Sequence, residues 1–141
     1  MYKILRKNGD MKRKIDSELK EKNELTYQDA FELIATHSEG FRMLPAKLKK
    51  DKVFYLGAMK WAVSGGIDSG FEHADDSLKK NRNFILEAVK IDGYVIDHID
   101  QKFKKDKEIV LLAIKQDKNV FQYVDDSLKN DPEVLKLLKN N

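Results

Sequence analysis

Residues 106–131, DKEIVLLAIKQDKNVFQYVDDSLKND, are one unit of a repeat, and most of the chain is that unit copied with variations. Shifted back by 25 positions the run lies on residues 81–106, NRNFILEAVKIDGYVIDHIDQKFKKD, with Asn81 on Asp106, Ala88 on Ala113 and Phe103 on Leu128. Further back the offset becomes 30, so that Ala58-Met59-Lys60 falls on Ala88-Val89-Lys90 and Leu48-Lys49-Lys50-Asp51 on Leu78-Lys79-Lys80-Asn81. Five residues are therefore inserted between Lys60 and Leu78. A fainter copy starts at Thr26, with Leu33, Phe41 and Leu48 on Ala113, Phe121 and Leu128, and a half-unit, DPEVLKLLKNN, runs on from Asp131. A period in this range is the mark of stacked small units, none of which can bury its apolar face alone.

Each unit reads in two helical halves. The first opens on a small polar residue at Thr26, Asp51, Asn81, Asp106 or Asp131, whose side chain can accept from the free amides of the first turn. Pro132 follows the last of these at the first helical position, where its missing N–H costs nothing. Ile109, Val110, Leu112, Ala113 and Ile114 cover more than half the helix circumference, which predicts packing on two sides, and Ala58, Ala88 and Ala113 leave room for close approach. Gly93 and Lys118-Asn119 mark the turn between halves. The second half carries the one-sided stripe Val120, Phe121, Val124 and Leu128. Pro45, at the position of Asp125, breaks the second helix of its own copy, and the same break or a tight final turn is expected in the others.

The predicted fold is all-α: a right-handed-type α-solenoid of short helix-turn-helix repeats, about four units of period 25, with an N-terminal capping helix. Residues 1–25 read as a basic arm, with an Asn8-Gly9-Asp10 turn signal and a helix on the narrow stripe Met11, Ile15, Leu19. Residues 26–141 read as the repeat domain, with an insert at 61–70. The true start could be Met1 or Met11.

The formal charge of +3 comes from 27 basic and 24 acidic residues, a mixed surface better suited to solubility than to a dedicated polyanion site. With no cysteine, disulfides and thiolate metal sites are excluded. No apolar run approaches the ~20 residues of a membrane span, and the expected location is cytoplasmic.

The charges recur with the repeat. Asp75-Asp76, Asp100 and Asp125-Asp126 precede Lys79-Lys80, Lys104 and Lys129 by four residues, the stabilising order on a helix. Stacking would align Lys49, Lys50, Lys79, Lys80, Lys104, Lys105 and Lys129 in a basic stripe, either a solvated, self-paired face or a partner-binding one. Lys3, Arg6, Lys7, Lys12, Arg13 and Lys14 form a denser basic run against one acid, Asp10, and offer the alternative of RNA or DNA phosphate binding. His73 and His98 share a repeat position with Met43 and Tyr123, which fits a half-buried slot better than a metal site, since stacked equivalents lie on the order of 10 Å apart. No metal or cofactor is expected.

Two resemblances follow from these residues. Ser64-Gly65-Gly66-Ile67-Asp68-Ser69 looks like the pyrophosphate-binding loop of the ATP pyrophosphatase enzymes, and that likeness would place Ser64, Gly65, Gly66, Asp68 and Ser69 around a nucleotide. The repeat itself resembles a tandem helical family catalogued only as a domain of unknown function. It does so through Phe121-Gln122-Tyr123-Val124-Asp125-Asp126-Ser127-Leu128-Lys129-Asn130-Asp131-Pro132-Glu133-Val134 and Lys105-Asp106-Lys107-Glu108-Ile109-Val110-Leu111-Leu112-Ala113-Ile114-Lys115. That family implies helical stacking and brings no activity with it, leaving function open. The leading functional expectation is a non-enzymatic protein-protein interaction module, a monomer or homodimer. A free-standing array this small suits a phage- or pathogen-borne inhibitor of a host or defence complex.

Overall fold

A computed structural model describes residues 25–140. The basic run from Lys3 to Lys14 and the proposed capping helix lie outside the described residues. Among the described residues every regular element is helical and there is no strand. The chain divides into two compact units, Met1–Ala74 and Asp75–Asn141. This boundary falls inside the second copy of the repeat.

The first unit contains α1 (Tyr27–Thr36), α2 (Gly40–Met43), α3 (Ala46–Lys50), α4 (Lys52–Ser64) and a 3₁₀ turn, Phe71–His73. Thr26 opens α1 with a reciprocal cap: its hydroxyl accepts from Asp29 N at 3.1 Å while the Asp29 carboxylate accepts from Thr26 N at 3.0 Å. The third helical position of α1 is thus polar, whereas the other copies place Phe54, Phe84, Ile109 and Val134 there, all buried. That is why the first copy was faint in the sequence. Its core is aromatic instead, with Phe31 at 5.8 Å from Phe54 and 5.1 Å from Trp61.

The second unit contains α5 (Asp76–Lys79), α6 (Arg82–Ile91), α7 (Val95–His98), α8 (Gln101–Lys104), α9 (Lys107–Gln116), 3₁₀ turns at Lys118–Tyr123 and Asp126–Leu128, and α10 (Pro132–Lys139). The long helices α6, α9 and α10 pack in sequence order, with α9 between the other two. Phe84, Ile85, Ala88 and Val89 of α6 recur as Ile109, Val110, Ala113 and Ile114 of α9, and all eight are essentially inaccessible. Ala58 of α4 is equally closed, so the three register alanines share one environment type.

Each full copy is a long helix followed by two short ones, not a helix pair. The second half is cut at the same place every time: Leu44, Ala74, Ile99 and Val124 are extended, and the residue after each, Pro45, Asp75, Asp100 or Asp125, has φ of -58° or -59° with ψ between 142° and 147°. Proline fits that φ without strain. Where the residue is aspartate, its carboxylate caps the next short turn, accepting from Ser77 N, Lys102 N or Ser127 N at 2.9–3.0 Å.

Candidate functional site

The first side chains of α6 and α9 reach forward to the next copy. Arg82 Nε donates to Asp106 Oδ2 at 2.7 Å and Nη2 to Glu108 Oε2 at 2.6 Å. One period later, Lys107 Nζ lies 3.0 Å from Asp131 Oδ2 and 2.8 Å from Glu133 Oε1. Each acceptor aspartate also caps its own helix. A parallel link joins the short helices, where Gln101 Nε2 donates to Asp125 Oδ2 at 2.6 Å. Sequence reasoning missed this ladder, although the recurrence of a base directly after each cap, at Lys52, Arg82 and Lys107, was its visible trace.

These contacts set a pH dependence. Arg82 holds the Asp106 carboxyl low, Lys107 does the same for Asp131, and the Ser127 hydroxyl and amide with Gln101 bring Asp125 down to about 2. A depressed folded-state value contributes stability that is full above the ordinary carboxylate value and is lost as pH falls through the folded one. Melting temperature should therefore hold steady above about pH 5 and fall between about pH 4 and 2. Asp125→Asn should flatten that fall, which thermal scans across the range would show.

The lysine stripe divides into tethered and open members. Lys49 Nζ donates to Arg42 O at 2.6 Å and its equivalent Lys104 to Asp97 O at 3.1 Å, which ties each short final helix to the middle one. Lys79 pairs with Asp76 at 3.2 Å and Lys129 with Asp126 at 3.0 Å. These two pairs span three residues, while Asp75, Asp100 and Asp125 cap the amides of Ser77, Lys102 and Ser127. Lys50, Lys80 and Lys105 follow the tethered lysines and are exposed.

The middle turns carry the slot of Met43, His73, His98 and Tyr123. It is less enclosed than expected: His73 and Tyr123 are half-buried, Met43 and His98 exposed. Among the described residues no group of three or more His, Cys, Asp or Glu could hold a metal ion. Repeat stacking sets Tyr123 edge-on to Tyr94 of the preceding copy, centroids 6.4 Å apart and planes at 67°. Tyr94 is 41% exposed. Partial desolvation and the Asp117 carboxylate raise the pKa of its phenol above the ordinary value. An exposed aromatic already held by a ring contact loses little freedom on binding.

The Gly-rich insert is a helix stop. Its first four residues lengthen α4 as far as Ser64. Gly65 N then donates to Trp61 O and Ala62 O, Gly66 N to Val63 O at 3.0 Å and Ile67 N to Ala62 O at 2.8 Å, with Gly66 at φ 74°. That is a Schellman ending. Three amides of the pyrophosphate-loop motif are engaged by helix carbonyls, and the run lies at a helix C-terminus, the partially negative end. Asp68 Oδ1 accepts from Gly70 N at 2.8 Å, and Ser69 is buried.

The rest of the insert is fastened at Gly70. The buried Tyr55 hydroxyl donates to Gly70 O at 2.6 Å, and burial, with Glu72 and Asp68 adding, raises the Tyr55 pKa far above its ordinary value. Tyr55→Phe removes one of that carbonyl's two donors, His73 N remaining at 3.0 Å, and should cost about 0.5–1.5 kcal/mol by denaturant titration. Beside it lies a cavity of about 260 Å³ whose lining includes His37, Glu39, Arg42, Asp68, Glu72 and His73. Arg42 pairs there with Glu39 at 2.7 Å, and His73 Nε2 lies 3.4 Å from Glu72 Oε1.

Among the described residues no helix is long and apolar enough to cross a membrane. No curated protein and no solved structure matches the chain. The model of the domain of unknown function DUF4116 matches twice in tandem, at residues 69–104 and 106–141. Together the two matches span half of the chain, on the same helical repeat that the ladder locks together, and the chain belongs to the DUF4116 family.

Proposed function

We propose that the chain is a non-enzymatic protein-interaction module whose copies continue the stacking of α6, α9 and α10 as a right-handed α-solenoid. The observation that carries the reading is the Tyr94–Tyr123 pair, a preorganised aromatic contact held half in water by two successive copies. Aromatic anchors of this kind dominate binding energy at protein interfaces. The open Lys80 and Lys105 supply charge for a rim, where mutations act mainly on association rate and salt dependence. Nucleic-acid binding is the less favoured use of the lysines, because Lys79 and Lys129 are neutralised by acids and Lys104 is drawn onto a carbonyl.

The test places a photo-crosslinking phenylalanine at position 94 and irradiates a nuclease-treated extract of the native host. A discrete protein adduct that disappears on adding Tyr123→Ala, in a protein whose circular dichroism is unchanged, is the expected result. No adduct, or one that survives Tyr123→Ala, counts against the reading. If an adduct forms only when nuclease is omitted, the partner reaches this face through nucleic acid.

A further inference from the structure

The forward face of a long helix is the face the next copy covers, and the ladder identifies it. Lys107 reaches forward to α10, and on one helix surface it shares its side with Val110, Leu111 and Ile114, at spacings of three, four and seven residues. The corresponding residues of α10 are Pro132, Leu135, Lys136 and Lys139. These four, with Asn130 and Asn140, line a shallow cavity of about 440 Å³. The opposite side of α10 is occupied, with Val134 inaccessible and Lys118 Nζ donating to the Leu138 and Asn140 carbonyls.

This face has been altered from its equivalents in a consistent direction. Lys52, Arg82 and Lys107 become Pro132, so the cation that would grip a following cap is gone. Leu56, Leu86 and Leu111 become Lys136, and Met59, Val89 and Ile114 become Lys139, while Leu135 keeps the apolar centre. Another repeat of the same kind fits poorly, because burying two ammonium groups where leucine and isoleucine pack is costly. Pairing with a second copy of α10 would set the same lysines near one another. A helix of eight residues, about 12 Å long, also falls short of the ~800 Å² per partner usual for a stable dimer.

We propose that the Leu135 groove docks an amphipathic helix of a partner protein, with an apolar stripe over Leu135 and acidic residues flanking it to meet Lys136 and Lys139. Two features support that occupant. The equivalent surface of α9 already receives a helix, and the substitutions supply the complementary charge. The site is separate from the Tyr94 face and does not depend on it.

The experiment measures binding of the full chain to two stapled helical peptides of identical leucine stripe, one flanked by glutamates and one by lysines, by fluorescence anisotropy at low and high salt. The glutamate peptide should bind saturably and at least ten times tighter than the lysine peptide, and the preference should shrink as salt rises. Lys136→Glu with Lys139→Glu should reverse it, and Leu135→Asp should abolish binding to both. Each variant is first checked for an unchanged melting curve; because all three positions lie outside the buried core, folding should survive. Equal binding of the two peptides, no saturation at millimolar peptide, or indifference to Leu135→Asp overturns the proposal. So does a dimer in sedimentation equilibrium that Leu135→Asp dissociates, since the occupant would then be a second copy.

Discussion

Ile109→Ala should lower the unfolding free energy by about 2–5 kcal/mol, the range for removing a branched side chain from a site that cannot collapse. Ile109 is completely inaccessible in α9, the helix packed between α6 and α10. Neighbours on either side are held by Arg82 to Asp106 and by Lys107 to Asp131, so the walls of the cavity are fixed from two directions. Total stability of small domains is only about 5–15 kcal/mol, and the loss should appear as a large drop in the urea midpoint with little change in slope. A loss below about 1 kcal/mol would mean that α9 is not the central element of its unit.

Gly70→Ala should be comparably damaging for two separate reasons. Gly70 adopts φ 66°, and an added Cβ would stand 2.2 Å from ring atoms of Phe41, a buried residue in contact with Tyr55. Left-handed backbone costs a non-glycine residue on the order of 1–3 kcal/mol, and displacing a packed ring about 1–3 kcal/mol more. The accompanying shift would also pull the Gly70 carbonyl from the Tyr55 hydroxyl. Comparing it with Phe41→Ala/Gly70→Ala separates the two contributions: the double variant relieves the clash and keeps the backbone strain. If Gly70→Ala melts like the parent chain, the turn that fastens the insert has been misread.

The repeat was legible because its caps, alanines and apolar positions recur at one-dimensional spacings, and Pro45 marked the break found in every full copy. What the sequence hid were contacts made across copies. The lysines were assigned to acids four residues earlier because local spacing is what a linear reading can score; Asp75, Asp100 and Asp125 instead cap the amides of Ser77, Lys102 and Ser127. Arg82 finds its acids 24 and 26 residues away. The Ser64–Ser69 run was ambiguous for another reason: glycine-rich backbone suits both a phosphate cradle and a helix ending, and the element before it decides which. Here α4 precedes it, and its carbonyls claim the amides. Tyr94 and Tyr123 carried no signal, since they occupy non-equivalent repeat positions and meet only across the stack.

The ladder gives the array a direction, because every rung runs from the start of one long helix to the start of the one after it. A duplicated block spanning residues 106–130 and spliced in after itself would bring its own base and its own acids, and both junctions would close with the same rungs. Such a molecule should grow longer without needing any compensating substitution. Array length is then a quantity that tandem duplication could change in one step, while Pro132, with no cation, offers no rung of this kind from the start of α10.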